Sequence, residues 1–294
     1  MRSTARKQRL KNGIYRAVGE VAGLGRREAS EPLLRVLMYH KVDGREGNTI
    51  AVPPALFAEQ MRLVADRYRA VSIDDVVAHL DGGRRLPPRA VLITFDDGYR
   101  DNLEEAAPVL ERLGLPAIVF VPADFVGASR PLPHDERLVE AGLENPALDW
   151  DGLAELVRCG IAIGSHGLSH RVLSTLPPDE AMHEIVESRR ILQERLGRPV
   201  EAFAYVKGGA AHFGAAHAAM VAEAGYRVAF STFTGANREG ADRFRLRRYN
   251  VEPYPMRTFE LVLEGRCDAL GVKDTVVGTH ARRVFNEVLG TSTA

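Results

Sequence analysis

Between residues 33 and 265 short apolar runs alternate with longer amphipathic ones, and that rhythm predicts the elements. Leu33–Tyr39, Ala70–Ile73, Ala90–Phe95, Ala117–Val121, Ile161–Gly164, Ala202–Tyr205, Arg227–Phe230 and Phe244–Val251 read as strands. Ala90–Phe95 is a mainly apolar run rich in β-branched residues, the pattern of a strand buried on both faces of a parallel sheet. Helical spacing runs through Pro53–Tyr68, from Asp74 to near Gly82, and through Asn102–Leu113, Asp151–Arg158, Pro178–Leu196 and Ala215–Ala224. Further helices are expected near Thr258–Leu263 and Thr275–Leu289. About seven strand–helix units in one domain length predict an α/β fold around a parallel sheet, a (β/α) barrel before a doubly wound sheet. Residues 33–265 then form the domain, 1–32 a basic extension and 266–294 a C-terminal helical segment. Pro122–Asp149 stays irregular, and a loop that long either shapes a substrate site or is a flexible excursion.

Charge and cysteine content narrow the function classes. Lys and Arg number 39 against 39 Asp and Glu, which removes the electrostatic footprint of a nucleic-acid binder. No apolar run approaches the ~20 residues of a transmembrane segment. Cys159 and Cys267 stand far apart, so a disulfide framework or cysteine-based zinc site is excluded and a reducing compartment is favoured. The first 35 residues are basic, but no apolar segment or cleavage site follows, so no signal peptide is recognised. The expected location is the cytoplasm or its inner membrane face. The basic segment reads first as a solvated or frayed helical extension, and second as a peripheral membrane contact.

Candidate chemistry gathers at the ends of predicted strands. In Thr94–Tyr99, Asp96 and Asp97 emerge at the C-terminal end of Ala90–Phe95, where barrel enzymes carry catalysis. Two adjacent carboxylates there repel unless a cation or a proton stabilises them, although Asp-Asp-Gly is by itself a common turn. His166 and His170 follow the strand Ile161–Gly164, four apart, the spacing that puts two imidazoles on one side of a helical turn. Two histidines and one aspartate leave coordination positions open, as a catalytic metal requires. His40 ends the first strand at the same rim; alone it reads as a strand cap. His79, His134, His183, His212 and His217 lack ligand spacing and read as structural or surface residues, and His280 lies in the C-terminal segment.

Thr94–Tyr99, His166–His170, Tyr39-His40 and Leu148–Leu153 together resemble the polysaccharide deacetylase family of metal-dependent carbohydrate esterases (the NodB-like carbohydrate esterase family 4), over roughly residues 33–260. Tyr39-His40 ahead of the Asp-Asp motif resembles the rearranged branch that includes poly-N-acetylglucosamine deacetylases. The resemblance implies a distorted, incomplete (β/α) barrel of about seven parallel strands that removes acetyl groups from sugars. It further implies Asp97, His166 and His170 as ligands of one divalent ion, zinc before cobalt, nickel or iron. Asp96 becomes the catalytic base and His40 the general acid. An acetylated polysaccharide, oligosaccharide or carrier-linked glycan is the implied substrate, with oxyanion contacts near Tyr205–Gly208.

The third motif departs from the family. Phe203-Ala204-Tyr205-Val206-Lys207-Gly208 has Val206 and Lys207 where relatives have proline and an aromatic residue. Lys207 either pairs with Asp96 or an anionic substrate group, or is solvated and inert. The arginine that steadies the base in relatives is missing from this motif, and Arg248 is its expected replacement. Trp150 is expected under the metal loop or lining the sugar groove. Three other readings stand beside the deacetylase. One is a hydrolase of a C–N bond in a small molecule or nucleotide sugar, and one a catalytically degenerate sugar binder. The last is a non-haem iron oxygenase with a two-histidine, one-carboxylate triad.

Overall fold

A computed structural model describes residues 12–21, 34–44, 50–136, 139 and 146–274. Residues 12–21 form helix α1. The expected helix Thr275–Leu289, His280 and most of the basic extension lie outside the described residues. The first units are β1 (Leu34–Tyr39), α2 (Pro54–Arg67), β2 (Arg69–Ala70), α3 (Ile73–Leu80), β3 (Ala90–Phe95) and α4 (Ala107–Leu113). There follow β4 (Ala117–Val121), α5 (Trp150–Arg158), β5 (Ala162–Ser165), α6 (Pro178–Leu196), β6 (Ala202–Ala204), α7 (Ala215–Glu223), β7 (Val228–Phe230), β8 (Tyr249–Asn250) and α8 (Met256–Leu263). Every ladder is parallel, and the main path runs β7-β6-β5-β4-β3-β1-β8, with β2 paired to the start of β3. This is the curled, incomplete (β/α) barrel that the alternation and the motifs imply. No described helix is long and apolar enough to cross a membrane.

The period-2 geometry of the strands sorts their side chains into two cores. Leu34 and Val36 of β1, Ala90 and Leu92 of β3, Ile118 and Phe120 of β4, Ala202 and Ala204 of β6, and Val228 and Phe230 of β7 share an inner cluster. Alternate residues, among them Leu37, Ile93, Val119, Phe203 and Ala229, join the outer cluster beneath the helices. Phe120 and Phe230 meet at 5.4 Å inside the barrel, and a Cβ on Gly164 would collide with the Phe120 ring at 2.4 Å. The interior is therefore a packed core, and chemistry is confined to its rim.

Three elements differ from the expectation, each for a local reason. The predicted strand Ala70–Ile73 shrinks to β2, because Ser72 and Asp75 form a reciprocal capping box that draws Ile73 into α3. Of Phe244–Val251 only Tyr249–Asn250 pairs as a strand, and Leu246 crosses to an isolated bridge with Phe230 near the open seam. The segment Asn102–Leu113 begins with a π-helical turn, Asn102–Ala106, in which the Ala107 amide reaches back to the Asn102 carbonyl. Pro108, with no N–H to give, then opens the regular helix α4. At the N-terminus, Tyr15 of α1 stacks on Tyr254 at 5.4 Å and Glu20 pairs with Arg257, so α1 packs against the domain.

Candidate active site

Asp96 continues the inward alternation of β3, one step beyond Thr94, and is 2% exposed. Arg248, which is wholly buried, meets it with two parallel hydrogen bonds, Nη1 to Oδ1 at 2.7 Å and Nη2 to Oδ2 at 2.8 Å. Its Nε donates to the Ser231 carbonyl, and its guanidinium lies 5.7 and 5.9 Å from the Phe120 and Phe230 ring centroids. The fork is thus held in one orientation by its hydrogen bonds and by packing beside the paired Phe120 and Phe230 rings of the inner core. Burial works to raise the Asp96 pKa, but the charges of Arg248 and then His166 hold it below the ordinary carboxylate value. Asp96 is an ionised, oriented carboxylate at neutral pH.

Asp97 breaks the alternation. Its φ is +74°, and it is followed by Gly98 at φ +66°. Such a conformation in a non-glycine residue costs free energy and persists only where its surroundings enforce it. His170 and Lys207 at the same rim also have positive φ, +59° and +57°. Asp97 Oδ1 lies 3.0 Å from His170 Nε2 and 3.5 Å from His166 Nε2, and one ligand atom from each of the three residues falls within 4.8 Å of the others. A tetrahedron with ligand bonds near 2.1 Å has edges of about 3.4 Å, so these atoms fit around one zinc-sized ion. His166 Nδ1 donates to the Ala204 carbonyl at 2.7 Å, which assigns the proton to Nδ1 and leaves the Nε2 lone pair facing Asp97. Burial pushes the His166 pKa down to about 4, so the ring is neutral and ready to ligate. Burial would raise the Asp97 pKa, but hydrogen bonds from His134 and His170 carry it well below the usual range.

The two histidines converge without a helix, contrary to the helical turn their spacing predicts. Residues 166–170 form an irregular turn with Gly167 at φ +80°. Glu184 of α6, 4% exposed, organises it by accepting from the amides of Leu168 at 3.0 Å and Ser169 at 2.8 Å and from the Ser169 hydroxyl. Sequence reading missed Glu184, although an acid inside the buried stripe Ala181, Glu184, Ile185, Ser188 and Leu192 was the available signal.

The remaining expected residues divide. His40 follows β1, its carbonyl accepts from Asn102 Nδ2 at 2.8 Å, and its ring stands near enough that a charge there would lower the pKa of both Asp96 and Asp97. The Nδ1 of His40 is buried with no hydrogen-bond partner among the described residues. Tyr205 is buried, stacked on Phe213 at 3.8 Å, and its backbone N–H is taken by the Phe230 carbonyl. Gly208 is buried at φ +52°, where a Cβ would meet the Thr232 amide at 2.9 Å. Lys207 is exposed and forms no ion pair among the described residues; Asp96 has Arg248 instead. Trp150 opens α5, partly buried against the outer core, with the Arg195 guanidinium 4.6 Å from its ring centroid.

The long irregular segment contributes a group that sequence reading assigned elsewhere. His134 Nε2 lies 3.4 Å from Asp97 Oδ2 and 2.8 Å from the Tyr99 hydroxyl. Nothing in its spacing pointed to the site, because the loop that carries it returns to the rim through tertiary contacts alone.

Residues 83–229 match the family described as polysaccharide deacetylase. Among curated proteins, the chain is 27% identical over 221 residues to Bacillus subtilis (strain 168) YxkH, named for polysaccharide deacetylation, covering 75% of this chain and 72% of that one. It is 30% identical over 105 residues to the poly-β-1,6-N-acetyl-D-glucosamine N-deacetylase of Escherichia coli K12, covering 35% of this chain and 15% of that one. Among solved structures, IcaB from Ammonifex degensii superposes with a TM-score of 0.66 at 26% identity, covering 80% of this chain and 97% of that one. The Streptococcus pyogenes deacetylase PplD, solved with acetate, superposes with a TM-score of 0.67 at 22% identity, covering 81% of this chain and 99% of that one.

Proposed function

The chain belongs to the polysaccharide deacetylase family, and from that premise we propose that it is a metal-dependent hydrolase removing the N-acetyl group from an acetylamino sugar, as a polymer, oligosaccharide or carrier-linked glycan. The observation that carries the reading is the division between two neighbouring carboxylates. Asp97 faces His166 and His170, whereas Asp96 is gripped by Arg248. The likeness to the E. coli N-deacetylase supports an acetylated amino sugar as substrate class.

A divalent ion held by Asp97, His166 and His170, zinc first by its donor set, supplies Lewis acidity toward an acetyl carbonyl and lowers the pKa of a water. Asp96 is the base in this reading. Its ionised carboxylate takes the proton from the attacking water, and the Arg248 fork keeps both oxygens from drifting toward the metal ligands. His40 gives a proton to the departing amine nitrogen. Since the Tyr205 N–H is engaged in the sheet, the backbone N–H groups of Val206, Lys207 and Gly208 are the donors left for the developing oxyanion.

Acetate release tests this. N-acetylated substrates spanning free oligosaccharides, nucleotide sugars and lipid-linked sugars, with an anionic sugar included, are assayed after chelation and single-metal add-back. Metal-restored acetate that vanishes in Asp96→Asn, with metal stoichiometry intact in that variant, is the expected result. Acetate release indifferent to chelation overturns the metal dependence, and metal loss in Asp96→Asn overturns the assignment of base and ligand.

A further inference from the structure

His134 reaches the rim on a loop that is pinned on both sides. Leu132, 3% exposed, packs with Phe125 and Tyr99 in a small apolar cluster, and the Asp135 amide closes a turn onto the Leu132 carbonyl at 2.9 Å. Asp135, also 3% exposed, accepts from Lys41 Nζ at 2.9 Å through Oδ1 and from the Tyr99 hydroxyl at 2.7 Å through Oδ2. Lys41 is 1% exposed and sits 4.1 Å from the Tyr99 ring centroid. A buried lysine, aspartate and tyrosine thus anchor a loop whose next side chain, His134, remains 38% exposed. That machinery does not serve the two ligand histidines or Asp96.

Proton counting assigns the role of the ring. Tyr99 has one hydroxyl proton and gives it to Asp135 Oδ2, a carboxylate oxygen that can only accept. The Tyr99 oxygen therefore accepts in its 2.8 Å contact with His134, and Nε2 of His134 must carry the proton. The same nitrogen lies 3.4 Å from Asp97 Oδ2, so its proton, given first to Tyr99, reaches Asp97 as the long arm of a shared three-centre contact. A protonated Nε2 has no lone pair for a metal, so His134 is excluded as a fourth ligand through that atom. Meanwhile Asp97 Oδ1 is the oxygen that faces both His166 and His170.

We infer that His134 is a positioning residue for Asp97, donating toward Oδ2 so that Oδ1 alone is presented to the metal. The inference rests on the metal reading above and deepens it. Carboxylates that ligate metals are themselves held by hydrogen bonds, and loss of such a bond typically costs 10–100-fold in metal affinity. The side chain is exposed enough that its replacement leaves the core intact.

The test measures metal binding directly, by chelator competition with Zn²⁺ and by the visible spectrum of the Co²⁺ protein, with Asp97→Ala as the site control. His134→Ala is expected to weaken both metals at least about tenfold. His134→Gln, whose amide N–H can stand where Nε2–H does, is expected to recover most of that loss. Metal affinity in His134→Ala within twofold of the parent, with an unchanged Co²⁺ spectrum, overturns the inference while leaving the metal reading in place. Gln as damaging as Ala, with a Co²⁺ spectrum showing a lost nitrogen ligand, overturns the donor role in favour of ligation. A parent protein that binds neither metal overturns both readings at once.

Discussion

Arg248 and Asp96 form a two-pronged ion pair at 2.7 and 2.8 Å inside the barrel mouth, where neither side chain meets solvent. The arginine comes from the segment just before β8 and the aspartate from the end of β3, 152 residues apart in the chain. The pair sets the charge of the proposed base, and a buried charge without its partner is costly.

Arg248→Met is therefore expected to destabilise the fold by about 3–5 kcal/mol, the usual effect of stranding one member of a buried pair. Arg248→Lys keeps the charge but loses the fork, and should keep the fold while lowering kcat. With the two Arg248 hydrogen bonds that help to lower it gone, and burial still opposing ionisation, the Asp96 pKa rises. The acid limb of the pH–rate profile of Arg248→Lys should move to higher pH; an unmoved limb in a folded variant removes Asp96 as the titrating base.

Metal-free protein should lose stability with acid in two stages. His166 is held at about 4 against an ordinary 6.5, so between those values the unfolded chain binds a proton that the folded chain does not. Stability falls as pH drops through that window, by up to about 3 kcal/mol at 1.36 kcal/mol per unit. Asp96 and Asp97 are depressed in the fold, so their contribution is present above the ordinary value near 3.9 and is lost as pH falls through their folded values. Urea unfolding of chelated protein at about pH 7 and about pH 4.5 reads the first stage. His166→Gln should flatten the slope between them.

Glu184 links the helix α6 to the turn that carries His170. Removing its carboxylate in Glu184→Ala strands the Leu168 and Ser169 amides, with an expected loss of about 2–3 kcal/mol. Glu184→Gln, which still accepts through its amide oxygen, should lose less. Both losses are read by thermal denaturation of the chelated protein, and Glu184→Ala should also bind Zn²⁺ more weakly, because His170 is no longer held.

Gly98 lets the chain turn tightly behind the carboxylates. Its φ of +66° disfavours any side chain, and an added Cβ would stand 2.5 Å from Val121 Cγ1. Gly98→Ala should cost about 1–2 kcal/mol from conformation alone and more from the collision. Adding Val121→Ala should remove the collision but not the conformational cost. A urea-unfolding mutant cycle should show the two changes together costing less than their sum.

Local pattern determined a large part of this protein. The period-2 apolar runs and intervening helical stretches are properties of short windows, and they account for the parallel strands, the barrel and the rim position of Asp96, Asp97, His40, His166 and His170. Strand ends carry their side chains to one rim whatever the loops do, so a motif directly after a strand is legible in one dimension. Other features were set by contacts between distant segments. The capping box that shortened β2 competes locally with strand pairing, but the irregular turn of His166–His170 depends on Glu184 from α6. Lys207 is exposed, and the cation that holds Asp96 is Arg248, brought in from across the seam. His134 reaches Asp97 only because Lys41 and Tyr99 trap its neighbour Asp135. Spacing along the chain encodes which backbone groups can pair nearby, whereas the partners of a buried charge are chosen by three-dimensional desolvation, which no single segment of sequence contains.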